Sequence, residues 1–329
     1  MSILSILLGL LLLCNGEGTA PAEGRLFVSV FIVRGSVSGS HTGQFGAFVR
    51  NGEDSTYALL NPSNVITFGL GYFERGSTRR YYIAGGNGVH RSTDGGKRWR
   101  ILTSWQTMEI LSLLPDPVDS SIIYAATPWG VYKTADDGAS WVRKDRGCKR
   151  WFVQKLLGDR RDRRTLYAAM EDDLYCSRDG AESWEPLHVG ADQIQVVAQN
   201  PARPEMLCVG VEDRGIRVSR DNGATWVPSP QLSRETIYAL RFSPDGSSLY
   251  AAGWKTGLLR STDGGLMWER IFADDAVESI FDILVNPTNP SHLLVGTDGQ
   301  GIYESLDHGR TWRRAGLMGA KVKQMEFYP

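Results

Sequence analysis

The sequence predicts an all-β protein, a seven-bladed β-propeller of four-stranded antiparallel blades. An octapeptide ending in tryptophan recurs six times, and these tryptophans are 42 to 44 residues apart, at 99, 141, 184, 226, 268 and 312. A period of about 40–45 residues is typical of a four-stranded propeller blade. Each copy lies between short apolar runs, as a hairpin turn does. The two ends of the chain complete each other as one further repeat.

The octapeptide has the residues of a tight turn. Its first position is Ser or Thr, its third is Asp, and its fifth is Gly in every copy except one, where Gly180 precedes Ala181. Aspartate accepts hydrogen bonds from backbone amides, and glycine allows the positive φ that such a turn requires. We therefore expect a structural role for the aspartates, and a different turn in the copy with Ala181. The aspartates are Asp94, Asp136, Asp179, Asp221, Asp263 and Asp307.

The segments around each octapeptide give the other strands of a blade. In the fifth copy, apolar runs at 237–242, 248–252 and 257–260 precede the turn, and 268–271 follows it. Breaks rich in Asn, Asp, Pro and Gly separate these runs, which is typical of short antiparallel strands.

The seventh blade is predicted to be assembled from both ends of the chain. Residues 26–33 and 46–50 fit a second and a third strand, and Tyr57 stands where the tryptophan would be. An inner strand is missing there, whereas 321–328 has an inner-strand pattern with nothing after it. Pairing of the C-terminal strand with the N-terminal strands would close the ring and remove two exposed edges.

These octapeptides resemble the Asp-box, or BNR, motif of sialidase-like, sortilin-like and photosystem II assembly-factor-like propellers. The resemblance covers nearly all of the chain after residue 80 and is specific for fold, not for function. In those families the motif lies away from the active face, which implies a structural role for the aspartates here too.

Composition and the N-terminus bear on cellular location. The formal net charge of −1 gives no indication of a nucleic-acid partner. An apolar run at 3–13, followed by small and polar residues, has the length of a signal peptide and is short for a membrane span. We interpret 1–24 as a signal peptide and 25–329 as the propeller. The protein is expected to be secreted, periplasmic or on the cell surface. Cys148, Cys176 and Cys208 are expected to be thiols.

No catalytic, metal or cofactor site is predicted. The five histidines are scattered, and phosphate-loop and dinucleotide motifs are missing. Sialidases carry a Phe-Arg-Ile-Pro-type segment, which this chain lacks. The xyloglucan-cleaving propellers with a similar motif place their acid and base across two propeller domains, whereas the repeats here account for one.

Four tryptophans outside the octapeptides point to a binding face. Two fall in connections from second to third strands and two between consecutive blades, so all four should open on the face opposite the octapeptide turns. They are Trp105, Trp129, Trp151 and Trp254, with carboxylates including Asp173, Asp213 and Asp298 on the same side. Exposed aromatic rings beside acids suit a sugar or a peptide. Rings that merely plug loops between blades are the structural alternative.

These observations lead to three functional hypotheses. The first is an exported, non-catalytic module that binds a protein or an oligosaccharide through the tryptophans. The second is a glycoside hydrolase that uses two carboxylates of that face as acid and base, and their spacing would test it. The third is a scaffold similar to the photosystem II assembly factor. The sequence leaves the oligomeric state open.

Overall fold

The computed structural model describes residues 25–33, 45–50, 56–60, 65–104 and 109–329. These residues form 28 strands in seven antiparallel sheets of four, without a helix among them. The all-β, seven-bladed fold predicted from the sequence is confirmed. None of the described segments is a helix that could span a membrane.

The chain enters the ring in blade 1 and proceeds blade by blade. Blade 1 contains β1 (Arg25–Val33), β2 (Gly46–Arg50) and β3 (Tyr57–Leu59). Blade 2 contains β4 (Thr67–Arg75), β5 (Thr78–Gly85), β6 (Gly88–Ser92) and β7 (Arg100–Ile101). Blade 3 contains β8 (Ser112–Pro115), β9 (Ile123–Thr127), β10 (Gly130–Thr134) and β11 (Val142–Arg143).

The remaining blades repeat this order from the channel outward. Blade 4 contains β12 (Val153–Gly158), β13 (Leu166–Met170), β14 (Leu174–Ser177) and β15 (Glu185–Pro186). Blade 5 contains β16 (Ile194–Gln199), β17 (Leu207–Val211), β18 (Gly215–Ser219) and β19 (Val227–Pro228). Blade 6 contains β20 (Ile237–Phe242), β21 (Leu249–Gly253), β22 (Leu258–Ser261) and β23 (Glu269–Phe272). Blade 7 contains β24 (Ile280–Val285), β25 (Leu293–Thr297), β26 (Ile302–Ser305) and β27 (Arg313–Arg314).

The C-terminal strand closes the ring as predicted. Strand β28 (Ala320–Tyr328) is the inner strand of blade 1 and pairs antiparallel with β1, placing Leu26 opposite Phe327 and Val28 opposite Met325. Val28 and Met325 are fully buried in one apolar cluster with residues of blade 7. Both ends of the chain therefore contribute to the same core.

The core lies between neighbouring blades. The second strands β9, β13, β17, β21 and β25 are buried at every residue, because each has a blade on both sides. Their sequences are continuous apolar runs of the IYAAT type, the pattern expected for strands with two covered faces.

The octapeptide turns have the predicted hydrogen bonds. In the first copy, the Ser92 hydroxyl donates to Asp94, and it accepts from the Gly96 amide at 2.9 Å. The expectation of a different turn in the third copy was wrong. Ala181 adopts φ 72° and donates its amide to the Ser177 hydroxyl at 2.9 Å, as Gly96 does to Ser92.

The octapeptide tryptophans pack between blades, two of them more completely than the other four. Trp184 and Trp268 are buried, at 2% and 6% exposed. The other four are partly buried: Trp99, Trp141, Trp226 and Trp312. The three cysteines of the described part of the chain are free thiols, as expected.

Candidate ligand-binding face

The strand order places two kinds of connection on one face of the disc. Because strands alternate in direction, the connection from second to third strand and the connection to the next blade lie at the end opposite the octapeptide turns. Trp129 lies between β9 and β10, Trp254 between β21 and β22, and Trp151 between blades 3 and 4. We call this end the tryptophan face.

The predicted exposure of these rings is confirmed for three of the four. Trp129 is 48% exposed, Trp151 58% and Trp254 50%. Trp105 lies outside the described residues. Exposed indoles at separate loops of one face are available for contact with a ligand.

Arg143 contacts the Trp151 ring and lies close to the backbone that follows Trp129. The Arg143 guanidinium lies over the Trp151 ring, 5.2 Å from its centroid. Its Nε atom would lie 3.0 Å from a Cβ atom placed on Gly130, the residue that follows Trp129. The Thr127 hydroxyl holds the Trp129 turn by accepting from the Trp129 amide at 3.0 Å. Blade 3 therefore holds Trp129 on a hydrogen-bonded turn and contacts Trp151 through Arg143.

The three predicted carboxylates have different environments. The Asp173 carboxylate is buried and accepts from the amides of Leu174, His188 and Val189 at 2.8–3.0 Å. Its geometry is that of a loop anchor, because three backbone donors already use its oxygens. Asp213 and Asp298 are exposed.

Asp213 and Asp298 each have one close side-chain partner near the channel. The Thr236 hydroxyl donates to Asp213 at 2.7 Å, and the Lys321 ammonium lies 3.2 Å from Asp298. Neither carboxylate is saturated by backbone donors, so both keep acceptor capacity for a ligand.

A row of β-bulges at the channel mouth was not predicted. In the inner strands of six blades, one residue near the start is left out of the pairing with the second strand. A bulge turns the extra side chain out of the regular alternation. These residues are partly exposed, and they are Phe68, Gln154, Gln195, Tyr238, Phe281 and Lys323. The sequence signal that could have indicated these bulges was the near-constant spacing between the starts of the inner strands.

Aromatic and cationic side chains meet on one side of this mouth. The Tyr238 and Phe281 rings stack across blades 6 and 7, with centroids 5.1 Å apart and an interplanar angle of 29°. The ammonium groups of Lys321 and Lys323 lie 4.5 and 4.1 Å from the Phe281 centroid. Burial, together with the charge of Lys321, lowers the pKa of Lys323 to about 8.

Trp254 borders the same side of the mouth. Its amide donates to the Thr236 carbonyl at 3.0 Å, and its backbone forms a bridge with Ser279. Thr236 and Ser279 each stand two positions before a bulged residue, Tyr238 and Phe281 respectively. The backbone of Trp254 is therefore held next to the segments that lead into the two strands carrying the stacked pair. We call Tyr238, Trp254, Phe281, Lys321 and Lys323 the aromatic–lysine corner.

An ion network occupies the channel below the mouth. The Arg241 guanidinium lies 2.9 Å from Glu326 and 4.0 Å from Asp282. Asp282 also accepts from the Met325 amide at 2.7 Å. Burial raises the pKa of Asp282 to about 6, although the positive charge of Arg241 opposes this shift. Both carboxylates are engaged inside the channel, so they do not face the exposed tryptophans.

A polar cleft lies between blades 4 and 5 on the tryptophan face. Its volume is about 400 Å³, and its lining includes Asp172, His188, Asp192 and Arg214. The Tyr175 hydroxyl donates to one Asp172 oxygen at 2.8 Å, while Arg214 lies 3.7 Å from Asp192. Within the described ranges, no cluster of His, Cys, Asp and Glu has the arrangement of a metal site.

Comparison with known proteins identifies other propellers with the same fold. No family model matches the chain. The chain is 26% identical over 221 residues to an oligoxyloglucan-reducing end-specific xyloglucanase of Emericella nidulans. The match covers 57% of this chain and 26% of the xyloglucanase, so the chain spans about a quarter of that enzyme's length.

Solved structures show the same fold at low identity. The GH74 xyloglucanase of Xanthomonas campestris has a TM-score of 0.62 at 20% identity, covering 75% of this chain and 45% of the enzyme. YCF48 bound to D1 peptide has a TM-score of 0.60 at 16% identity, covering 77% of this chain and 83% of YCF48. The extracellular domain of BT4673 from B. thetaiotaomicron has a TM-score of 0.64 at 13% identity, covering 86% and 40%. These likenesses establish a shared seven-bladed propeller.

Proposed function

We propose that this propeller is a non-catalytic binding module that takes a protein segment on its tryptophan face. The observation that carries the proposal is the contrast between two sets of tryptophans. Trp129, Trp151 and Trp254 are about half exposed on one face, whereas the octapeptide tryptophans pack between blades. Large rings held on rigid turns are the usual anchors of protein interfaces.

The solved peptide complex supports a protein ligand. In the comparison with YCF48 bound to D1 peptide, the match covers 77% of this chain and 83% of YCF48. One propeller therefore accounts for most of both proteins. At 16% identity the likeness concerns the fold, and no binding residue is transferred from it. It demonstrates that a propeller of this size and architecture binds a peptide.

An oligosaccharide is the second candidate ligand. The polar cleft beside Asp172 and Arg214 has about the volume of a small-molecule site, and exposed indoles stack on sugars. The xyloglucanase relative adds to this candidate. A scaffold role like that of the assembly-factor propellers would use the same protein-binding face.

Hydrolysis has less support than binding. A glycosidase needs two carboxyl groups facing a sugar at a defined separation. Asp173 is used by backbone amides, and Asp282, whose pKa is raised to about 6, lies in the channel network with Arg241. Neither group is placed to act on a ligand at the exposed indoles.

We also propose that the protein acts outside the cytoplasm. The apolar run at 3–13 has the features of a signal peptide. The extracellular domain among the similar structures agrees with this location. Expression with a C-terminal epitope and fractionation of the culture would test it, since cytoplasmic retention of the full chain would contradict export.

The proposed function is tested by truncating the exposed rings. Purified protein would be applied to a peptide array and an oligosaccharide array, beside the double variant Trp129→Ala, Trp254→Ala. We expect binding to peptides, abolished in the double variant, with a melting curve close to that of the wild type. Trp226→Ala is the control, because this octapeptide ring packs between blades and its loss should lower the melting temperature.

The outcomes separate the candidates. If the protein binds oligosaccharides and no peptide, the ligand is a glycan and not a protein segment. Full binding by a folded double variant, or unfolding of that variant, overturns the proposed face.

A further inference from the structure

We infer that the aromatic–lysine corner binds the C-terminal end of a peptide, with the terminal carboxylate at Lys323 and the last apolar side chain against Trp254. This inference rests on the proposed function and specifies which part of the ligand enters the channel mouth. Three features of the corner carry it: an unpaired cation, an occupied aromatic stack, and a charged floor.

The first feature is the unpaired charge of Lys323. Lys321 lies 3.2 Å from Asp298, so that carboxylate already has a cationic partner. No carboxylate of the described residues lies within ion-pair distance of the Lys323 ammonium, which is in contact with the Phe281 ring instead. A partly buried ammonium without a counter-ion attracts an anionic group, because its desolvation is otherwise uncompensated.

The second feature favours a carboxylate-bearing chain over a sugar. The Phe281 ring is already covered by Tyr238 and by two ammonium groups, 4.1 and 4.5 Å from its centroid. It therefore offers no free face for a pyranose ring. Trp254 is half exposed. The Lys255 ammonium lies over its ring, 4.7 Å from the centroid, and the remaining ring surface offers apolar contact area to a single side chain.

The third feature favours a chain end over a passing chain. Arg241, Asp282 and Glu326 form an ion network in the channel below the mouth. A segment that passed below Lys323 would have to desolvate or displace these charged groups, which favours a segment that ends at Lys323. A terminal carboxylate satisfies the lysine there and ends the chain at the same point.

The test compares peptides that differ only at the terminal group. C-terminally displayed peptides of random sequence would be selected on the wild-type protein, and the best binder synthesised with a free carboxylate and as the amide. We expect about tenfold tighter binding of the free acid by calorimetry, from the loss of one charge-assisted contact in the amide. The Lys323→Met variant should bind both forms equally, and Lys323→Arg should keep the preference.

Controls distinguish this inference from the proposed function. Lys97→Met removes an exposed lysine of an octapeptide turn on the opposite face, and it should preserve the tenfold preference. If peptides bind and require Trp129 and Trp254 but tolerate amidation, the chain-end inference fails and the protein-binding function stands. If no peptide binds to the folded protein, both fail. Preference for a uronic-acid oligosaccharide that depends on Lys323 overturns the peptide assignment.

Discussion

The indole nitrogen of Trp184 donates a hydrogen bond to the carbonyl oxygen of Lys144 at 2.8 Å, joining blade 4 to blade 3. The same contact to the preceding blade recurs at Trp99–Leu60, Trp141–Leu102, Trp226–Leu187 and Trp312–Ile271, at 2.9–3.1 Å. In blade 6 the Trp268 indole donates instead to the Ser229 hydroxyl at 2.9 Å. The octapeptide tryptophan is therefore a joint between blades as well as an apolar wedge.

Lys144 differs from its counterparts in the blade whose octapeptide has alanine in place of glycine. In the other blades the fifth octapeptide residue is glycine, and a Cβ placed on Gly138 would lie 2.7 Å from Leu102. A Cβ on Gly223 would approach Leu187 just as closely. In blade 4, Ala181 carries this Cβ atom, and the position equivalent to Leu102 and Leu187 is occupied by Lys144. The two departures from the repeat are thus compatible with each other.

We predict energetic coupling between Lys144 and Ala181. Lys144→Leu should lower the free energy of unfolding by about 1–3 kcal/mol, because the leucine would crowd the Ala181 methyl group. Adding Ala181→Gly should recover much of this loss, with a coupling energy of about 0.5–3 kcal/mol in a double-mutant cycle. Chemical denaturation of the four proteins measures it. Additive effects would show that the two positions are independent.

The sequence predicted blade number, closure and turn chemistry because each depends on residues that repeat with the blade. It misjudged the Ala181 turn, since the compensating position is 37 residues away in another blade and has no motif of its own. The aromatic–lysine corner was also missed. Its members come from three separate strands and one turn, and only the bulge registers bring Tyr238, Phe281 and Lys323 to one mouth.

A second prediction concerns the octapeptide of blade 6. Thr225 and Thr311 each donate a hydroxyl hydrogen bond to the box aspartate at 2.6 Å, whereas Met267 occupies that position beside Asp263 and is 67% exposed. Met267→Thr should raise the free energy of unfolding by about 0.5–1.5 kcal/mol through the added bond. Met267→Ala is the control that removes the methionine without adding a hydroxyl. Equal denaturation midpoints for the two variants would contradict the mechanism.

A third prediction tests the aspartate of the same turn. Asp263 accepts from the Ser261 hydroxyl and from the amides of Leu266 and Met267. Asp263→Ala should lower the free energy of unfolding by about 1–2 kcal/mol, as loss of a helix or turn cap does. Ligand affinity of the folded variant should match the wild type, because the turn faces away from the tryptophan face. Selective loss of binding would give this aspartate a functional role.

A fourth prediction concerns closure by β28. Deleting 320–329 removes the inner strand of blade 1 and uncovers the β1 edge, so the truncated protein should aggregate or lose its cooperative melting transition. Met325→Ala keeps the strand but leaves a cavity at a fully buried position. It should lower the free energy of unfolding by about 2–5 kcal/mol. An unchanged melting temperature in the truncated protein would contradict the closure.

The last prediction concerns a buried ion cluster at the junction of blades 1 and 7. Glu304 lies 2.9 Å from Arg50, 2.8 Å from His292 and 2.9 Å from Arg313. Burial raises the pKa of Glu304, but its bonds to His292 and Arg50 outweigh this and lower the pKa to about 2. The cluster thereby links β26 of blade 7 to β2 of blade 1.

The lowered pKa fixes the direction of the pH dependence. A carboxylate whose folded-state pKa lies below its unfolded value stabilises the protein above the unfolded pKa, and the stabilisation is lost as pH falls through the folded pKa. Wild-type stability should therefore decline between about pH 5 and pH 2, and this decline should be smaller in Glu304→Gln. The variant should also lose about 3–5 kcal/mol at neutral pH, because Arg50 would remain buried without its partner.

A surface ion pair provides the control for this experiment. Glu269 is exposed and pairs with Arg260 on the neighbouring strand. Glu269→Gln should change the free energy of unfolding by less than about 1 kcal/mol and leave the acid decline intact, because exposed ion pairs contribute little. Thermal melts of the three proteins from pH 7 to pH 2 measure both effects. If Glu304→Gln follows the wild-type acid profile, the lowered pKa of Glu304 does not cause the acid decline.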